Sequence, residues 1–161
     1  MAILPGPDGS EDYSSHDGWL EFTAAAELHN NFVIGRKTLD IVEQQYEGFG
    51  FDDIHCKYKV VVSRQPDLKL DSAYTQATSP EDVITKLQDE VDVVWLVGGS
   101  EINAAFAKAG LIDEVILTIE PHIIGKGISL FAPANFDLDL SFRKVEQISG
   151  DRLKITYAVK K

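Results

Sequence analysis

The sequence predicts an α/β domain of three layers, a mixed and mostly parallel sheet with helices on both faces and an antiparallel hairpin at its C-terminal end. Three observations predict it. Short apolar runs such as Phe32-Val33-Ile34 and Tyr58 to Ser63 alternate with segments whose apolar residues recur at helical spacing. Two runs pass through glycine straight into a helical pattern, at Gly35 and at Gly98-Gly99, as a strand does when it turns into a helix. The last two runs, Leu138 to Ile148 and Leu153 to Lys160, are long and meet at Ser149-Gly150-Asp151, which reads as a hairpin. At 161 residues the chain is read as one domain, 1–161, with enough length for a full core.

The elements follow in order. Met1 to Leu4 reads as a short strand cut off by the turn-forming run Pro5 to Gly9, and a polar loop follows it. From Asp17 to His29, Trp19, Phe22, Ala26 and Leu28 suit a helix packed on one face, closed by Asn30 and Asn31. Phe32 to Ile34 is a buried strand. Gly35 leads into a helix through Thr38, Ile41 and Val42, and residues 46–56 are read as a loop. Tyr58 to Ser63 is a strand of high β propensity, and Ala73 to Ala77 is a weaker one. Ser79-Pro80-Glu81-Asp82 combines a capping serine, proline at the first helical position and acids at the positive end of the dipole. The apolar run from Val93 becomes a buried strand ending at the paired glycines. Ile102, Ala105, Phe106 and Ala109 then mark a helix stopped by Gly110, and Glu114 to Glu120 is another strand.

Composition narrows the function. Fifteen Lys and Arg against 26 Asp and Glu give a formal charge of -11, which argues against nucleic acid and anionic membrane as partners. A single cysteine, Cys56, leaves no intrachain disulfide, and the reading is a cytoplasmic protein. No apolar run reaches the roughly 18 to 20 residues that span a bilayer, and MAILPGPDGS does not read as a signal peptide. His16, His29, His55 and His122 show no ligand spacing, so no metal is expected.

In a sheet of this kind ligands sit outside the carboxyl ends of the strands. Three such ends carry suitable residues. Ile34-Gly35-Arg36-Lys37-Thr38 offers close backbone approach, two cations and a hydroxyl at a helix start, or else is a strand-to-helix turn with two solvated cations. Val62-Ser63-Arg64-Gln65 ends a strand in a hydroxyl and a guanidinium, which either grips a phosphate with two parallel bonds or is a surface arginine. Gly98-Gly99-Ser100 either seats a bulky group on bare backbone or is a compact strand-to-helix turn. Residues suited to phosphate gather at strand ends while acids dominate elsewhere.

In this order, IGRKT, VVVSR and VVWLVGGSEI resemble the dihydrofolate reductase superfamily. The downstream IDEVIL and EPHIIGKGISLF look like the reductase domain of the riboflavin-biosynthesis deaminase-reductase more than like dihydrofolate reductase itself. The resemblance implies NADPH as cofactor, with its pyrophosphate at Gly35, Arg36, Lys37 and Thr38. It implies the adenosine 2′-phosphate at Ser63 and Arg64, and the nicotinamide half near Gly98, Gly99, Ser100 and Glu101. It implies a heterocyclic substrate, with Asp8 and Gly9 matching a substrate-side turn of those reductases, although Gly6 stands where they carry serine. Asp17 and Glu21, on the helix resembling the substrate-facing one, are candidate proton donors or else surface acids, with Asp17 a helix cap. Trp19 either flanks a flat ring or belongs to the core. The zinc deaminase pattern, His-x-Glu with Pro-Cys-x-x-Cys, is absent from the sequence. Reduction of a pyrimidine or pteridine-like compound is the leading expectation, with dihydrofolate reduction and a non-catalytic nucleotide-binding module as alternatives. A homodimer is expected by analogy.

Overall fold

The computed structural model describes residues 16–45, 51–66, 68–123 and 125–161. At its centre is strand β1 (Asn31–Gly35), whose first four residues are buried. β1 is flanked in parallel by β2 (Tyr58–Val62) and by β4 (Leu96–Gly98), and β3 (Tyr74–Ala77) adds to the outer side of β2. The sheet order is β3-β2-β1-β4. Parallel strands need long crossovers, most of them helical, and helices on both faces let the strand interiors be continuously apolar. Alternation then sorts the side chains. Phe32, Ile34 and Val61 meet Phe22 and Ala26 of α1 (His16–Leu28) and Leu39 and Val42 of α2 (Arg36–Gln45). Val33 and Val60 face the other way, toward Val83 and Leu87 of α3 (Pro80–Leu87) and Ile102 and Phe106 of α4 (Ser100–Lys108).

A second sheet of three antiparallel strands, in the order β5-β7-β6, holds β5 (Glu114–Ile119), β6 (Leu140–Ile148) and β7 (Arg152–Val159). The predicted mixed sheet is thus two sheets among the described residues. Val115 and Val159 carry the second into the core on the α3/α4 side of the first.

The predicted start of α3 and stop of α4 are present, whereas Asp17 lies within the first turn of α1 and does not precede it as a cap. The Ser79 hydroxyl accepts from Asp82 N–H at 3.2 Å, and Asp82 Oδ2 accepts from Thr78 N–H at 2.8 Å, a reciprocal arrangement that satisfies donors at the start of α3. Beyond α4, Gly110 takes φ +68, and Leu111 N–H returns to Phe106 O.

Three expectations are corrected. Val93 and Val94 lie outside β4, and Val93 is exposed. The buried side chain of Asn31 donates to Val93 O at 2.7 Å and accepts from Trp95 N–H at 2.9 Å, using backbone groups that a strand ladder would have used. Asn31 therefore opens β1 instead of closing α1, and it is Asn30, two residues past the end of α1, that takes the left-handed region, φ 56. Within the predicted loop, Phe51–Asp53 form a 3-10 turn. Phe51 is buried, and the ammonium of Lys59 donates to Phe51 O at 2.7 Å and to Asp52 O at 3.1 Å. The predicted strand at Met1 to Leu4 lies outside the described residues.

Candidate functional site

Because β1 to β4 run the same way, the strand ends singled out in the sequence lie along one edge. Register makes this concrete: Gly35 pairs with Val62, just before Ser63, and Ile34 pairs with Gly98. From β1 the chain builds outward to β2 and β3, then returns to the other side of β1 for β4. The order therefore reverses between β1 and β4. A crevice forms outside the carboxyl ends at such a reversal, since the two connections leave in opposite directions. Gly35 and Gly98 stand on its two sides.

The two walls touch. Gly99 N–H donates to the Thr38 hydroxyl at 3.0 Å, tying the turn before α4 to the first turn of α2. A Cβ on Gly99 would stand 2.8 Å from Thr38 Oγ1, inside contact distance. Gly98 takes φ +119, where side chains are strained, and the Gly98-Gly99 bond is cis. The paired glycines thus have a reason within the chain itself. Asn103, buried in α4, lies against Gly98 and donates to Leu130 O at 2.9 Å. Ala132 N–H reaches Ser100 O at 2.9 Å, so residues 130–132 close over the start of α4.

At the end of β2, Ser63 N–H donates to Ala77 O, and Gln76 Nε2 donates to both Ser63 O at 3.2 Å and Gln65 O at 2.6 Å. β3 thereby sets the shape of the corner that carries Arg64. Gln76 went unmarked in the sequence because a lone glutamine in a weak strand has no distinguishing pattern. Arg64 is exposed and has no hydrogen bond or ion pair among the described residues. Arg36 pairs with Asp40 along α2, and Lys37 pairs with Glu101 across the crevice at 2.6 Å.

Asp17 and Glu21 reach a different partner. Arg152, 2% exposed at the start of β7, lies 2.8 Å from Glu21, 3.6 Å from Asp17 and 3.5 Å from Glu120. Its Nε donates to Ser149 O at 2.9 Å, its Nη2 donates to Ser149 Oγ at 3.1 Å, and the Ser149 hydroxyl donates to Asp17. This cluster joins α1 to the hairpin and to the end of β5. Its members are far apart in sequence, so local pattern could not assemble it. A helix of 13 residues joined to β1 by a short turn runs back alongside it for about 20 Å. Asp17 and Glu21 consequently lie toward the edge that carries the crevice. Trp19 packs against Phe22 and Phe51, with ring centroids at 5.4 and 5.8 Å. Asp8 and Gly9 lie outside the described residues.

The residues along this edge fit an extended polyanion with a flat end: cations and hydroxyls at the ends of β1 and β2, and bare backbone at the end of β4. Comparison with known proteins bears on the family and the fold. The chain is 25% identical to the uncharacterized Bacillus subtilis protein YyaP over 96% of its length and 87% of the relative's. A second uncharacterized B. subtilis protein, YwjB, is 26% identical over 96% of this chain and 90% of its own. A solved structure from Shewanella sp. PV-4 with a provisional riboflavin-biosynthesis name superposes with a TM-score of 0.77 at 22% identity, covering 98% of this chain and 92% of that one. The deaminase/5-amino-6-(5-phosphoribosylamino)uracil reductase of Thermotoga maritima superposes with a TM-score of 0.68 at 14% identity, over 97% of this chain and 52% of that longer one. The model of the RibD C-terminal domain matches residues 5–154, and the chain belongs to that family, the branch that the downstream IDEVIL and EPHIIGKGISLF segments resemble.

Proposed function

We propose that this protein is an NADPH-dependent reductase of a pyrimidine or pteridine-like heterocycle. The observation that supports the reading best is the meeting of Thr38 and Gly99 at the reversal of strand order, with Arg64 available one strand away. In this reading the first turn of α2, with Arg36, Lys37 and Thr38, holds the pyrophosphate at a helix N-terminus. Ser63 and Arg64 take the 2′-phosphate, and the backbone of Gly98, Gly99 and Ser100 supports the nicotinamide half. Bound NADPH supplies a hydride, and the chain's own residues orient the acceptor and manage its proton.

Glu21, held by Arg152, is suited to accept hydrogen bonds from N–H and amino groups of a heterocycle. Asp17 has a side chain 47% exposed and lies at the open end of the cluster, where it can pass a proton from solvent. The formal charge of -11 opposes nucleic acid and anionic membrane as partners, and we place the protein in the cytoplasm.

The expected homodimer is assigned to the apolar face of the second sheet. Ile119, Phe142, Val145 and Leu153 share that face and are exposed. An apolar sheet face beside an edge strand is best covered by the same face of a second copy, since a twofold pairing closes on itself.

The cofactor assignment is tested by titrating NADPH and NADH into the wild type and Arg64→Glu. Loss of about ten- to a hundredfold for NADPH, with little change for NADH, is expected. Equal loss for both, or none, removes the 2′-phosphate assignment. Turnover of dihydrofolate favours the folate reductase alternative, and binding without turnover of any heterocycle favours a non-catalytic module.

A further inference from the structure

Glu101 is the one acid among the residues gathered at the three strand ends, and an acid there needs an explanation. A carboxylate gives no hydrogen bond to a phosphate and repels it. Yet Glu101 is in the first turn of α4, and its Oε1 lies 2.6 Å from Lys37 Nζ in the first turn of α2. The partners are 64 positions apart, so the pair spans the crevice instead of running along one helix as Arg36–Asp40 does. Directly beside it, Thr38 and Gly99 join the same two helix starts. Both helix dipoles favour negative charge there, and Glu101 is the negative charge present. Its side chain is 65% exposed and that of Lys37 is 68% exposed. A pair so open to water is worth up to about a fivefold factor, which makes it exchangeable.

We propose that Glu101 is an internal stand-in for the anionic ligand. It holds Lys37 across the crevice in the free protein and gives Lys37 up when a phosphate arrives. Glu101 then sets the affinity and salt response of binding without contributing a contact. This rests on the NADPH reading above and refines it: Lys37 belongs to the pyrophosphate that NADPH and NADH share, whereas Arg64 belongs to the 2′-phosphate that distinguishes them.

The test is equilibrium titration of NADPH and NADH into the wild type, Glu101→Gln, Lys37→Met and the double variant, at low and high salt. Glu101→Gln should tighten both cofactors by about two- to fivefold and should lose affinity more steeply as salt rises, because a freed ammonium now meets phosphate. Lys37→Met should weaken both, and the double variant should match Lys37→Met. Unchanged or weaker binding by Glu101→Gln overturns the proposal. A gain that persists without Lys37 also overturns it, since Glu101 would then act by general repulsion. If the wild type binds neither cofactor, the NADPH reading falls and takes this one with it. If the wild type binds and Glu101 is inert, only this one falls.

Discussion

The two sheets solve the burial problem differently. Every strand residue from Asn31 to Ile34 and from Lys59 to Val61 is buried, because helices lie on both faces of the parallel sheet. In the antiparallel sheet, Phe142 is 59% exposed and Val145 52%, although their strand neighbours Tyr157 and Ile155 are apolar too. Parallel connectivity needs long crossovers, and those after β1 and β3 carry α2 and α3, so that sheet is covered by its own chain. A hairpin needs only a two-residue turn and brings no cover with it. The first half is covered by its own helices and carries the crevice; the second leaves an apolar face exposed.

This contrast can be broken by substitution. The largest effect belongs to the covered half: Phe32→Ala should cost about 3–5 kcal/mol, read from denaturant unfolding, while Phe142→Ala should cost the monomer less than about 1 kcal/mol. Val145→Asp should leave the fold intact and convert dimer to monomer in sedimentation equilibrium. A dimer that survives it removes the apolar face as the interface.

Next comes the joint between α1 and the second sheet. Arg152→Met should destabilise by about 2–3 kcal/mol, short of the usual cost of breaking a buried pair because the three carboxylates still reach water. An unchanged unfolding midpoint would mean that the cluster does not hold α1.

The smallest effect belongs to the start of α3. Ser79→Ala should cost about 1 kcal/mol. Lys86 and the Thr78 N–H hold the Asp82 carboxyl below its ordinary 3.8. The native state therefore favours the ionised form. That contribution is complete above the ordinary value and is lost as pH falls through the lower native one. The penalty of Asp82→Asn should accordingly shrink once the pH drops below 3.8. A penalty independent of pH would assign the effect to helix propensity.

Much of the parallel half was legible because its signals are local. Phe32-Val33-Ile34, the Ser79-Pro80 start and the Gly110 stop each act over a few residues. The three strand ends were legible for the same reason, and their convergence followed from parallel order. Asn31 was misread because its amide bonds backbone more than 60 positions away. Arg152 and Gln76 escaped notice because an isolated polar residue announces nothing until its partners arrive.

The sequence by itself determined the α/β alternation, the helix caps and the chemistry at the strand ends, all properties of neighbouring residues. Only the tertiary structure decided that Thr38 crowds the place of a Gly99 side chain, that Glu101 faces Lys37, and that Asp17, Glu21 and Glu120 share Arg152. Hydrogen bonds and ion pairs act over a few ångströms of space whatever the separation along the chain, and only the completed fold sets which groups come within that range.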